Sequence, residues 1–220
     1  MGKKVFNLII LGPAGSGKGT QSQILAKEFG LQTIEMGYLV RQVSEKKDAQ
    51  GKLAKWMDKV GMHFPDDFIF DLFQKAFKKI NKQKGLLIDG YPRTAGQAWD
   101  LARILGNSKR LTYAILFEVS DQSAMKRLLK RSVCSNCGKI FSSRKIKKCS
   151  DCGGKIQVRG YDQDKKSIQR RLDWFNQRVR PAIDFYRRKK MLIVVNGEGS
   201  IEDVSRQIIK KLKGKISSYS

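Results

Sequence analysis

Apolar residues in this chain follow two rhythms. Short continuous runs occur at residues 5–11, 31–36, 85–89, 111–119 and 191–195, and between them apolar positions recur at helical spacing. Unbroken apolar runs bounded by turns are typical of strands buried on both faces in a parallel sheet. The spaced pattern predicts a helix over 18–29 that stops at Gly30. A second opens at Pro65, with Asp66 and Asp67 in its first turn, and presents Phe68, Ile69, Leu72, Phe73, Ala76, Phe77 and Ile80 on one face. Further helices are expected from Thr94 or Ala95 to about Gly106, over 122–131 with Asp121 as cap, over 167–190 with a bend at Pro181, and over 201–212, followed by a loose tail at 216–220.

Strands alternating with helices imply an α/β fold: a five-stranded parallel sheet with helices on both faces and a ligand site at the carboxyl ends of the strands. Two stretches break the alternation. Residues 35–64 read as an inserted helical flap, interrupted at Gly51 and Gly61. Residues 132–164 form a second insertion, leaving residues 1–34, 65–131 and 165–220 as the core. Both insertions would emerge at the ligand edge, where movable covers exclude water.

Composition narrows this further. A chain of 220 residues supports one good core plus insertions. No apolar run reaches the roughly 18 residues of a membrane span, and the basic start runs straight into the first strand, so a cytoplasmic protein without membrane contact is expected. The net charge of +25 would attract polyanions such as RNA, but the lysines are scattered and lack interleaved aromatics, which reads as a solvated surface.

Chemistry enters with Gly12-Pro13-Ala14-Gly15-Ser16-Gly17-Lys18-Gly19-Thr20, set between the first strand and the first helix. Glycines let backbone N–H groups curl inward around a phosphate, while the helix N-terminus and Lys18 add positive charge. The hydroxyl that usually follows the lysine is displaced from Gly19 to Thr20, so magnesium must be held otherwise. Asp89, ending the third strand, can do so through water. Arg41, Arg93, Arg127, Arg131, Arg159 and Arg171 recur near strand ends and insertions, and their forks suit phosphate oxygens. Cys134, Cys137, Cys149 and Cys152 make two Cys-x-x-Cys knuckles separated by eleven residues, the pattern of a structural zinc site. Iron could occupy the same cage, and two disulfides are the alternative.

Together these motifs resemble the adenylate kinase family in its long form with a zinc-binding lid. The family's Gly-x-Pro-Gly-Ser-Gly-Lys-Gly-Thr-Gln is met at Gly12 to Gln21, with Pro13-Ala14 in altered order. Its Asp-Gly-Phe-Pro-Arg-Thr-x-x-Gln is met at Asp89 to Gln97, its Arg-x-x-x-Arg at Arg127 and Arg131, and its knuckles at Cys134 to Phe141 and Cys152 to Arg159. The resemblance covers nearly the whole chain. It implies reversible phosphoryl transfer between MgATP and AMP by a protein that is commonly a monomer. Gly15, Ser16, Gly17, Lys18, Gly19, Thr20, Arg131, Ile140, Phe141 and Gly199 would bound ATP. Met36, Arg41, Met62, His63, Phe64, Gly90, Arg93, Gln97, Arg159 and Arg171 would bound AMP, with Gln97 reading the base. Lys18, Arg93, Arg127, Arg131, Arg159 and Arg171 would neutralise the moving phosphoryl.

Some positions depart from the family. Met36-Gly37-Tyr38 stands where Ser or Thr then Gly-Asp is usual, and Met62-His63-Phe64 where Lys, Leu and Val are usual, which reshapes the acceptor pocket and makes UMP or CMP the alternative acceptor. Gly160-Tyr161-Asp162-Gln163-Asp164 replaces an Asp-Asp pair. A one-residue shift is inferred, with Asp162 and Asp164 both open as partners of the lid arginines.

Overall fold

The computed structural model of the protein describes residues 5–60, 62–106 and 110–217. In chain order the elements are β1 (Phe6–Leu11), α1 (Lys18–Phe29), β2 (Gln32–Glu35), α2 (Met36–Ser44), α3 (Ala49–Val60), α4 (Asp66–Phe77), β3 (Leu86–Asp89), α5 (Ala95–Gly106), β4 (Leu111–Glu118), α6 (Asp121–Lys130), β5 (Ser132–Cys134), β6 (Ile140–Phe141), β7 (Ile156–Gln157), α7 (Lys165–Trp174), α8 (Arg180–Arg188), β8 (Leu192–Asn196) and α9 (Ile201–Ser217). Five strands form a parallel sheet in the order β2-β3-β1-β4-β8. Successive side chains of β1 point to opposite faces. Ile9 and Leu11 join a core beneath α4, α5 and α8, while Leu8 and Ile10 join one beneath α1 and α9. The central strands are therefore apolar throughout, as expected of a sheet covered on both sides. Because β1 and β3 run side by side, with Ile10 opposite Asp89, the phosphate loop and the Asp89 carboxylate leave the sheet at the same edge.

Several local expectations change. The inserted segment breaks at residues 45–48, not at Gly51, which lies inside α3. Gly51 is needed for close approach: a Cβ there would stand 2.2 Å from the Lys46 carbonyl oxygen, and its N–H bonds to Asp48 Oδ1 at 2.7 Å. Gly61 lies outside the described residues. Ser120, not Asp121, caps α6, accepting from the Ser123 N–H at 3.2 Å. The helical run after residue 165 widens into a π-turn over Phe175–Val179. Pro181 cannot donate to the carbonyl four residues back, and the wide turn takes up that mismatch. The last helix extends to Ser217 because Ile216 still reaches the core; residues 218–220 lie outside the described residues.

The cysteine segment forms a separate antiparallel sheet, β6-β5-β7, joined to the parallel layer through α6 and α7. These two helices pack through Ala124, Leu128, Ile168 and Leu172, all fully buried.

Candidate functional site

A cleft of about 610 Å³ opens at the carboxyl edge of the sheet, walled by α2 and the 62–66 segment on one side and by β6 and residues 159–161 on the other. Its floor is the phosphate loop. Gly15 lies in the left-handed region (φ +82°) and passes so close to α6 that a Cβ would meet the Ala124 carbonyl oxygen at 2.6 Å, so no side chain fits there. Lys18 Nζ donates to the Gly12 and Pro13 carbonyls, each at 2.6 Å. Burial pushes its pKa down to about 7; Asp89 pulls it back up, while Arg93, Arg171 and Arg131 repel it. The Ser16 hydroxyl is buried without a hydrogen-bond partner among the described residues. A loop holding a half-desolvated ammonium and an unsatisfied hydroxyl is prepared for an anion.

Asp89 is buried at the end of β3, and Ser22 donates to its Oδ2 at 3.3 Å. Burial raises its pKa, and Lys18 opposes that rise. A Cβ on Gly19 would lie 4.0 Å from the same oxygen, so the missing side chain leaves room beside the carboxylate. This oxygen-lined space fits a hydrated magnesium ion.

Arg41, Arg93, Arg127, Arg131, Arg159 and Arg171 all line the cleft. Asp162 is fully buried: its Oδ2 accepts from Arg131 Nε at 2.8 Å and its Oδ1 from Arg171 Nη1 at 2.8 Å, and Arg144 donates to its carbonyl at 2.7 Å. Asp162 is thus the arginine partner, whereas Asp164 caps α7 by accepting from the Ser167 N–H. The Tyr161 ring lies 4.3 Å beneath the Arg171 guanidinium. Arg159 also lines the cleft, and its buried Nε has no hydrogen-bond partner among the described residues. Arg93 is anchored through Nε to the Gly90 carbonyl at 2.9 Å. Arg127 and Arg131 both reach the cleft, but only Arg127 is within α6; Arg131 caps it in extended conformation, and Arg127 faces Glu198 at 4.0 Å. Arg41 pairs with Glu35 at 3.2 Å.

On the flap side Met36 is buried as the first residue of α2, while Met62, His63 and Phe64 line the rim. Gln97 is held at both ends of its amide: Oε1 accepts from the Arg93 N–H and Nε2 donates to Asp66 Oδ1, both at 2.7 Å. The second Asp66 oxygen accepts from Thr94 at 2.9 Å. Opposite, Ile140, Phe141 and Gly199 close the rim over the loop. Reading the sequence missed Glu35, Asp66, Tyr161 and Trp174, all of which line the cleft. Asp66 carries the clearest signal, but an acid in the first turn after Pro65 is equally accounted for as helix-dipole compensation.

In the second sheet the four cysteine sulfurs lie within 4.8 Å of one another, and none is in a disulfide. The Cys134–Cys152 and Cys137–Cys149 sulfurs are 3.5 and 3.6 Å apart. A tetrahedral zinc with bonds near 2.3 Å sets its sulfurs about 3.8 Å apart, so the cage is of the right size and donor type.

Comparison with known proteins agrees. The sequence profile of the family described as Adenylate kinase matches residues 10–191. Among curated relatives, adenylate kinases of Caldicellulosiruptor bescii, Archaeoglobus fulgidus and Methanocella arvoryzae are 32%, 33% and 35% identical to this chain over 214, 218 and 218 residues. Each alignment spans 94% of this chain and 99–100% of the relative.

Proposed function

The chain belongs to the adenylate kinase family, and on that premise we propose that its cleft transfers a phosphoryl group reversibly from MgATP to AMP, giving two ADP. The observation that carries this is the convergence of Lys18, Arg93, Arg131, Arg159 and Arg171 on one cavity that also contains Asp89. Both substrates are anions, and the acceptor is already a phosphate, so no general base is required. Catalysis is alignment plus charge neutralisation in a cavity that excludes water.

In this reading residues 15–20 with Ile140, Phe141 and Gly199 grip the ATP phosphates and base. Met36, Arg41, Met62, His63, Phe64, Gly90, Arg93 and Gln97 receive the monophosphate. Arg127, Arg131, Arg159 and Arg171 track charge on the transferred group. Residues 35–64 serve as the acceptor flap and 132–164 as the donor lid over a core of the remaining residues. Asp89 and Ser22 would hold the water shell of magnesium, which would supply positive charge to offset that of the phosphates. Zinc is structural, since four thiolates leave no open position for chemistry. Among the described residues no helix is long and apolar enough to cross a membrane, and a monomer working in the cytoplasm is the simplest setting.

Gln97 is the side chain placed to read the base: its amide is fixed by Asp66 and Arg93 and keeps one donor and one acceptor lone pair in reserve. A coupled assay with ATP and AMP, UMP, CMP or GMP tests the proposal. AMP is expected to be the best acceptor, and turnover with UMP or CMP but not AMP would overturn the assignment.

A further inference from the structure

The His63 imidazole lies flat on the Trp174 indole, with centroids 3.4 Å apart and planes 15° from parallel. The two rings come from different elements of the cleft. His63 belongs to the stretch joining α3 to α4, and Trp174 is the last residue of α7. Trp174 is three positions beyond Arg171, so the two share a helix face, and both line the cleft. Below, Trp174 rests on the main core of the sheet. Above, it carries His63.

We propose that the His63–Trp174 stack is the clasp that holds the acceptor flap closed over the monophosphate, which makes Trp174 a positioning residue for the acceptor. The inference rests on the reading of the cleft given above. His63 brings the flap into contact with α7, the helix that also supplies Arg171. Closing the stack therefore sets the flap against the same rigid element that holds a phosphate-binding arginine. A neutral imidazole suits the place: burial pushes its pKa down to about 3, with Arg93 and Arg171 adding repulsion, so the ring sits beside two guanidiniums without opposing them. A near-parallel aromatic pair biases a closing equilibrium by roughly 2- to 12-fold, enough to govern acceptor affinity without locking the flap.

The test uses the full chain. His63→Ala and Trp174→Ala are expected to raise KM for AMP by roughly five- to ten-fold while KM for ATP changes by less than about two-fold. His63→Phe and Trp174→Phe keep an aromatic surface and should recover most of the loss. Trp174→Phe also preserves the contact with the core should Trp174→Ala fail to fold. A second readout needs no turnover. Replacing the exposed Trp56 and Trp99 by Phe leaves Trp174 as the sole tryptophan. AMP should then change its emission saturably, and His63→Ala should abolish the change. The clasp is refuted if His63→Ala leaves KM for AMP within about two-fold of wild type, if both KM values rise together, or if the AMP-dependent emission change survives in His63→Ala. Wild-type transfer from ATP to AMP, measured alongside, separates the two claims. No wild-type turnover sinks the functional reading, whereas normal turnover with an unaffected His63→Ala sinks the clasp alone.

Discussion

Asp162 has no exposed surface, yet each of its oxygens lies against a guanidinium, Arg131 on one side and Arg171 on the other. Breaking such an arrangement from the acidic side leaves two arginines facing each other in a cavity that already holds Arg93 and Arg159. Asp162→Ala should cost about 3–5 kcal/mol of stability in denaturant titration. It should also lower kcat/KM by roughly two orders of magnitude, because the forks lose their fixed geometry. Asp162→Asn retains one acceptor oxygen and should fall between. Wild-type kinetics in Asp162→Ala would show that the pair does not position the arginines. Gly19 is the reverse case, a residue defined by the side chain it lacks. A Cβ there would press on Ile140 Cδ1 at 3.3 Å. Gly19→Ala should therefore raise KM for ATP by roughly three- to ten-fold, with kcat nearly unchanged, as β6 is pushed off the loop. Steady-state kinetics with saturating AMP decide this. The phosphate loop was legible in the sequence because Gly12 to Thr20 is a local pattern between a strand run and a helix. The Asp162 pairing was legible in part: the sequence leaves Asp162 and Asp164 both open as partners of the lid arginines, and the choice is made only where Arg131 and Arg171 both reach Asp162 while Asp164 caps α7. Nothing local in the sequence signals that Tyr161 lies against Arg171.

At the scale of elements, the second sheet is too small to hold itself together. Its strands are three, two and two residues long, and among its side chains Val133 and two cysteines supply the buried apolar surface. A unit of this kind depends on its metal. Metal analysis should find one zinc per chain. Stripping it with a chelator should raise hydrogen exchange across residues 132–157 while the five-stranded sheet stays protected. Unchanged protection after verified metal loss would count against a structural metal. The cysteine spacing made this element legible. The flap was harder, because its helix break falls in the turn between α2 and α3, where Gly51 comes close to the Lys46 carbonyl, and not at the glycine itself. The flap also supports a pH prediction. His63 is the chain's only histidine, and it faces Arg93 and Arg171 across the cleft. With a folded pKa near 3 against 6.5 unfolded, the closed state rejects a proton that an open flap accepts. Closure is thus fully favoured above about pH 6.5 and weakens as pH falls toward 3. NMR titration of the single imidazole should show no inflection between pH 8 and 6, and an inflection near 6.5 would mean that the ring is free in solution.

For the whole molecule, the charge of +25 sets two effects against each other. Like charges spread over one small body repel and loosen the folded state, while the same field draws anionic nucleotides toward a cleft lined with arginines. Both effects act through solvent, and both shrink as the Debye length falls from about 20 Å at low salt to about 6 Å near 0.3 M. Their signatures have opposite signs. Raising sodium chloride across that range should raise Tm by several degrees as self-repulsion is screened, while kcat/KM for ATP and AMP falls as steering is lost. The buried Asp162 pairs are screened much less, so kcat at saturation should change little. Differential scanning fluorimetry and steady-state kinetics in one buffer series resolve the two trends. A Tm that falls with salt would mean that attractive surface pairs, such as Lys139–Asp151 and Arg41–Glu35, outweigh the net repulsion. A flat kcat/KM would mean that the lysine surface serves solvation and plays no part in substrate capture.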